Sequence, residues 1–477
     1  MGRGYSVQRG ASKRPTNKDK RPRSVSMAKL RKTITTVAEQ TKSKEEMAAA
    51  MQELDSDDDC PSEDEDETIR RPDVLTKYKI CGTITDEAVK TVGAACIAGA
   101  STFDLCEQGD TFIIEKVKKM FQKSKSNDGK RMLKGLCFPM TVSVNNVLCN
   151  ASPANKGEAA TLANGDVVKV SCAVHIDGYP TTSAVTLVVG AADGAVTSLP
   201  AEVAHLLAAT HYAIHGMIRL MKVGTENQDV TDFIMHVAKC FGVEPVEGVL
   251  SNRTKRWILD GNECIIAKRI LTEDPQMNVE DCWICEHEVW TLDVAFTTSK
   301  SYRMRQLPLD TNVYRKNQVT VEPRLKCANE CLKEVRDAYM CFPWTPLRTE
   351  NTLRTRLGVT ELRKLDMLDE FPILGSQKGF MTARHSCTVA VTDKRTHILS
   401  GRPDAELLGM VIASATKQPS PDVVELVSEP LSAADAKSKA KKGSKTTAAN
   451  PAADAADDDD AAAELPARSR KAHRSGV

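Results

Sequence analysis

No stretch of the chain approaches the roughly 18 uninterrupted apolar residues that a membrane-crossing helix needs, so nothing in it is expected to span a bilayer. Three catalytic signatures are missing as well. There is no Gly-rich phosphate loop, no nucleophile elbow and no HExxH pair, so chemistry of those designs is not expected. The fifteen cysteines form no secreted-type framework and no signal peptide precedes them, so reduced thiols in cytosol or nucleus are expected. Net charge is nearly absent too, since 65 Lys and Arg stand against 64 Asp and Glu.

That balance hides a strong segregation. The first 32 residues carry eleven Lys and Arg and only one acid, Asp19. Pro15 and Pro22 oppose a continuous helix, and a solvated basic arm fits better than a mitochondrial presequence. Such arms bind phosphate backbones or serve as nuclear localisation signals. Met1-Gly2-x-x-x-Ser6 also fits the loose myristoylation pattern. From Glu53 to Glu67 the sign reverses, in a block too densely acidic to fold alone. From about Pro430 the chain becomes Lys-, Ala- and Asp-rich and lacks aromatics. Residues 1–70 and 430–477 are therefore expected to be disordered, with one folded body over 71–429.

What the body does contain is a hairpin. Asp166 to Val189 reads as two strands joined at Asp177-Gly178, a pair that favours the positive φ of a type I′ turn. With that turn as register, Ile176 pairs with Tyr179, Val174 with Thr181 and Ala173 with Thr182. Val168, Val170, Cys172 and Val174 then share an apolar face. Ser171, Ala173 and His175 share the other, where Ser171 and Thr182 are diagonal neighbours, close enough to serve one site.

Around the hairpin, Thr85 followed by Asp86 and Glu87 reads as an N-cap and first helical turn running to Ala98. Phe103–Lys123, Ala201–Lys222 and Val321–Ala338 read as helices, and Gly135–Asn146, Asp281–Thr298 and Phe380–Val391 as strands. Intermixed helices and antiparallel strands imply an α+β body. Cys282-x-x-Cys285, with His287 nearby, is half of a zinc site without a second half, and reads as buried thiols. His175 beside Ser171 and Thr182 offers a base and a nucleophile, but no orienting acid is identifiable. His205, His211, His215 and His236 lie in helical segments and read as satisfied interior or surface groups.

Several ordered stretches carry a resemblance. TKYKICG (76–82), DLCEQGD (104–110), FPMTVSVNNVLCNASP (138–153), VKVSCAVHIDGY (168–179), EHEVWTLDV (286–294) and CFPWTPLR (341–348) occur in the order of the methionine aminopeptidase family. They most resemble its non-catalytic branch, the proliferation-associated or ErbB-binding proteins, over roughly residues 72–425. The resemblance implies the pita-bread fold, with an insert at about 305–370. Active members hold two divalent metals through two Asp, a His and two further acids. Carried over, the two Asp fall on Ser171 and Thr182, the His on Asn252, and the acids on Asp293 and Ser386. The substrate-binding His falls on Asn150. One carboxylate, three hydroxyls and one amide cannot replace the hydration of two divalent cations. No metal, no other cofactor and no aminopeptidase activity are therefore expected.

With chemistry gone, function must come from surface. The branch it resembles binds ribosomal RNA and the large ribosomal subunit near the exit tunnel, and shuttles between cytoplasm and nucleolus. Arg253, Lys255 and Arg256 beside Trp257, and Arg315, Lys316, Arg324 and Lys326 around the insert, are the candidate phosphate contacts. The expected protein is a monomer that binds RNA, ribosomes and nascent-chain factors or other proteins, in ribosome biogenesis or translation control. The alternatives are a nuclear DNA- or RNA-binding growth regulator and a residual metallopeptidase.

Overall fold

A computed structural model of the chain describes residues 67–431, apart from 127–128, 130, 192, 270–278, 403–410 and 412–413. Helix α1 (Pro72–Ala95) and α2 (Thr102–Lys119) lead into β1 (Lys134–Val144) and the short β2 (Val147–Cys149). The hairpin β3 (Val167–Ile176) and β4 (Tyr179–Val188) follows, then α3 (Ala201–Leu220) and α4 (Asn227–Phe241). Next come β5 (Glu244–Pro245), β6 (Leu250–Thr254), β7 (Cys264–Ile266), β8 (Val289–Thr297), β9 (Arg305–Gln306) and β10 (Tyr314–Lys316). After α5 (Lys326–Ala338) and α6 (Thr352–Lys364) the chain closes with β11 (Leu368–Glu370), β12 (Leu374–Gly375), β13 (Thr382–Val391), β14 (Thr396–Ser400) and α7 (Pro421–Ser428).

The main sheet runs β1-β3-β4-β13-β8-β6-β7, with β14 paired to β13 and β5 to β8, all antiparallel. The hairpin takes the register that its Asp-Gly turn dictates: Ile176 faces Tyr179, Val174 faces Thr181 and Ala173 faces Thr182. Asp177 (φ 57°) and Gly178 (φ 84°) supply the two positive φ values. Helices α1 and α2 pack on the face carrying Val168, Val170, Cys172 and Val174, all four at 0% exposure. Burying each such valine contributes about 1.5–3 kcal/mol, so this layer anchors the sheet. Helix α3 covers β8 and β13, and α4 flanks α3. Helices on one face of an antiparallel sheet make the body α+β. Among the described residues no helix is long and apolar enough to cross a membrane.

Several boundaries differ from expectation. Helix α1 starts at Pro72, with Pro at its first turn, so Thr85 is interior and not a cap. Its hydroxyl bonds the Cys81 carbonyl at 3.0 Å and the Thr181 hydroxyl at 2.9 Å. Val74, Tyr78, Cys81 and Ala88 give α1 a buried helical stripe that overrides the β-branched composition of its middle. Ile69, placed by sequence in the disordered arm, is buried against the cluster of Val74, Tyr78 and Tyr179. Residues 281–288 are not strand, and 321–325 precede α5 without helical structure. The other expected tail segments, 1–66 and 432–477, lie outside the described residues.

Within the stretch 305–370, β10 pairs with β11, and α5 and α6 pack around Trp344, Cys331 and Leu362 in a small apolar cluster of their own. This lobe is clamped to the body by Arg348, whose Nε lies 2.9 Å from the buried Asp110 carboxylate of α2.

Candidate functional site

Pairing across the sheet brings five of the six expected positions onto one face. Ser171 on β3 and Ser386 on β13 both face Ala184 of β4. Ser386 also faces Asp293 of β8, and Asn252 of β6 faces Thr291, two residues before Asp293. Since Cβ atoms alternate along a strand, Ser171, Thr182, Ser386, Asp293 and Asn252 all point away from the helices. Asn150 follows β2 at φ 65°, and its Nδ2 donates to the Pro372 carbonyl at 2.9 Å.

The carboxylate on this face is already paired. Arg384, two residues before Ser386 and so on the same face, donates from Nε to both oxygens of Asp293 at 2.9 and 3.1 Å. Its Nη2 donates to Oδ2 as well. Burial by itself would lower the guanidinium pKa, but the adjacent Asp293 carboxylate outweighs it and holds Arg384 above its ordinary value. The fork is fixed from behind. Ser251 Oγ accepts from the Asp293 N–H at 2.9 Å, and Thr186 Oγ1 accepts from the Arg384 N–H at 2.9 Å.

The buried Lys169 and the half-buried Cys149 share the neighbourhood. Lys169 donates from Nζ to the Asn145 carbonyl at 2.6 Å, and burial pulls its pKa well below the usual range. Burial also raises the Cys149 thiol. Asn252 donates its amide to the Gly261 carbonyl at 3.0 Å. Thr182 Oγ1 and Ser386 Oγ are buried and find no hydrogen-bond partner among the described residues. One carboxylate already forked onto a guanidinium, with neutral hydroxyls and an amide around it, is a donor set that does not fit two divalent cations. Among the described residues, no three His, Cys, Asp or Glu side chains converge as a metal-binding group.

Aromatic rings close the hairpin end of the face. His175 lies with its ring centroid 4.7 Å from that of Phe342 and 5.6 Å from that of Trp257. Trp257 lies against Gly178, where a Cβ would come within 2.5 Å of the indole. Burial pushes the His175 pKa down to about 3, so the ring is neutral. It is boxed in by aromatics and is not poised to take a proton from Ser171 or Thr182. Its Nδ1 accepts from the Gly178 N–H at 3.3 Å.

The expected phosphate contacts divide into two groups. Arg253 pairs with Glu263 at 2.7 Å and Glu288 at 3.2 Å. Arg256 pairs with Asp177 at 3.0 Å and with Glu67, and stacks over Tyr179. Arg315 bridges Asp260 at 2.7 Å and Asp369 at 3.3 Å, and Lys316 donates to the Asn317 carbonyl at 2.6 Å. Lys255 is half-buried between Arg253 and Arg256. The basic run 253–256 is thus largely internal wiring. Arg324 and Lys326 are exposed, and Lys326 makes a loose contact with Glu330 at 3.9 Å.

Of the cysteine pair, Cys285 is exposed and Cys282 half-buried, so the buried-thiol expectation fails at Cys285. Burial lowers His211 to about 4 and His215 to about 3, as expected for interior groups. Sequence reasoning misses Arg384, Lys169 and Cys149. A signal for Arg384 is nonetheless present, because residues i and i+2 of a strand share a face and Ser386 is among the expected positions.

The profile of metallopeptidase family M24 matches residues 76–254. The curved DNA-binding protein of Schizosaccharomyces pombe is 31% identical over 383 residues, covering 80% of this chain and 96% of that protein. Proliferation-associated protein A of Dictyostelium discoideum is 32% identical, over 70% of this chain and 84% of that protein. A solved thermophilic Arx1 shares the fold with a TM-score of 0.67 at 22% identity, over 76% of this chain and 99% of that one. The antiparallel sheet with helices on one face is therefore the pita-bread fold. With matched lengths this extensive, the chain belongs to metallopeptidase family M24, in the branch of the proliferation-associated and ErbB-binding proteins.

Proposed function

We propose that this chain is a catalytically inactive member of the family and works through its surface, as an RNA- and ribosome-binding factor near the exit tunnel of the large subunit, in ribosome biogenesis or translation control. The observation that carries the first half is the Arg384–Asp293 fork. A guanidinium stands beside the one carboxylate of the former ligand face, and it supplies internally the positive charge that metals would bring. Four of the five ligand positions are hydroxyl or amide residues, so no metal-bound hydroxide is formed there. Support for the second half is the family branch, the exposed Arg324 and Lys326, and the Lys- and Arg-rich arms at both ends of the chain. The protein works in cytoplasm and nucleolus on this reading, as a monomer without a cofactor, and its partners are ribosomal RNA, the large subunit and proteins near it.

Sedimentation of cell lysate on sucrose gradients tests the ribosome assignment. Co-migration with large subunits at low salt, abolished as salt rises, is the expected result. A protein that stays with free proteins at low salt refutes it. Metal analysis with Met-initiated peptides tests the loss of activity, which stoichiometric metal with turnover would overturn. A second reading, a DNA-binding regulator, is favoured by the name of the Schizosaccharomyces relative. Stronger binding to curved duplex DNA than to ribosomal RNA would select it.

A further inference from the structure

The lobe within 305–370 carries an apolar ridge on its outside. Helix α6 buries Thr355, Gly358, Val359 and Leu362 and turns Leu353 and Leu357, one helical turn apart, to solvent. At 74% and 64% exposure these two are the most exposed large apolar side chains among the described residues. Neither belongs to the lobe's own apolar cluster around Trp344 and Leu362. Leu325, 51% exposed just ahead of α5, extends the ridge. The Glu361 carboxylate, one turn beyond Leu357, accepts from the N–H groups of Arg324 at 2.8 Å and of Leu325 at 3.0 Å. A Cβ on Gly358 would come within 2.8 Å of the Cys327 carbonyl oxygen, so the two segments meet at backbone level. The rim of the ridge is positive. Residues 324–326 and α6 hold Arg324, Lys326, Arg354, Arg356, Arg363 and Lys364 against one acid, Glu361, whose carboxylate is taken up by backbone N–H groups. Arg354 pairs with Glu330 and Arg363 with Glu370, while Arg324 and Lys364 are exposed and have no ion pair among the described residues.

We propose that this ridge is the docking surface for an amphipathic α-helix of another protein, whose apolar stripe packs along α6 and whose flanking positions are Asp and Glu. The i, i+4 leucines are spaced for a helix-on-helix seam, and Leu353 to Lys364 spans about 16 Å, three turns. A second copy of this chain fits badly, because a two-fold contact would set Arg324, Lys326 and Lys364 against their own counterparts. RNA meets the cations and leaves the leucines wet. The inference goes beyond the ribosome reading, which shares the cations with it and makes no use of the leucines.

Fluorescence anisotropy of the full-length protein tests it, with a fluorescein-labelled synthetic helix of about 20 residues that carries leucine along one stripe and glutamate on both flanks. The same helix with lysine flanks is the control. The glutamate-flanked helix is expected to bind roughly tenfold more tightly than the lysine-flanked one, with the gap narrowing as salt rises. L353S/L357S is expected to weaken that binding roughly tenfold, with the fold and ribosomal RNA binding unchanged because both side chains are exposed. R324E/K326E/K364E is expected to reverse the preference between the two helices. Equal binding of the two helices, or no loss in L353S/L357S, overturns the proposal. So does a dimer that L353S/L357S abolishes, which assigns the ridge to a second copy, or loss of ribosomal RNA binding in that variant, which assigns it to RNA. Co-sedimentation with ribosomes that persists while neither helix binds removes this inference and leaves the proposed function standing.

Discussion

Along β3, Val168, Val170, Cys172 and Val174 point into the helix layer, while Lys169, Ser171, Ala173 and His175 point the other way, and all eight are buried. The first set is held by apolar packing against α1 and α2. The second lies among charged groups that are mated internally, Asp293 to Arg384 and Lys169 to backbone carbonyls, beside His175 Nε2, Thr182 Oγ1 and Ser386 Oγ, which find no partner among the described residues. A polar sheet face can thus be buried as fully as an apolar one, provided its charge is cancelled. The cost of failure differs between the faces. Truncating an apolar side chain leaves a cavity, whereas deleting one member of a polar pair leaves a desolvated charge.

That contrast is broken most directly at the fork. Arg384→Met leaves Asp293 buried and unpaired, and is expected to cost about 3–5 kcal/mol in denaturant unfolding. The double variant with Asp293→Leu is expected to recover most of that, because replacing both partners with apolar groups of similar size is often neutral. If the double variant is as unstable as the single one, the fork is not the feature that stabilises this face. On the helix-covered face, Ile113→Ala is expected to cost about 2–5 kcal/mol, from transfer and cavity terms, with no second substitution on the polar face able to rescue it.

Next in size is the hairpin turn. Gly178→Ala puts a Cβ at φ 84° and within 2.5 Å of the Trp257 indole. A destabilisation of about 1–3 kcal/mol is expected for the strained backbone and displaced ring, read as a lower midpoint and altered Trp fluorescence. An unchanged emission spectrum would show that Trp257 does not depend on that contact.

The legibility of the two faces differs for a physical reason. The Asp-Gly pair carries its own register, so one turn is enough to place Ser171 diagonal to Thr182, and strand alternation does the rest. Local chemistry of that kind is written in neighbouring residues. Thr85 reads as a cap in the sequence, yet its hydroxyl is satisfied by Thr181, 96 residues away. Arg253 and Arg256 read as surface cations because their partners, Glu288, Asp177 and Glu67, lie on other elements. Arg384 escapes notice for the same reason. A sequence shows a charge but not the long-range carboxylate that cancels it.

His175 gives a pH-dependent test of the polar face. Its folded-state pKa is lowered to about 3 by burial, against an ordinary value of 6.5, so the folded chain binds fewer protons than the unfolded one between those limits. The stability it contributes is complete above the unfolded value and is lost as pH falls toward about 3, at about 1.4 kcal/mol per pH unit. A His175→Phe variant is expected to lose stability less steeply with falling pH than the parent over that window, in paired denaturant melts. Parallel profiles would mean that His175 does not stay neutral in the fold.

The smallest effect is expected where the polar face has an unmated group. Ser386 Oγ is buried between Ala184 and Asp293 and finds no partner among the described residues. Removing it leaves no other group unsatisfied, so Ser386→Ala is expected to fall within about 0.5 kcal/mol of the parent. Thr388→Ala is the control, because Thr388 Oγ1 accepts from the Thr182 N–H at 2.8 Å. Its removal is expected to cost about 1–3 kcal/mol by stranding that buried donor. A destabilisation at Ser386 as large as that at Thr388 would mean that its hydroxyl is engaged by a bound water or ion. The polar face would then hold a guest that Arg384 alone does not account for.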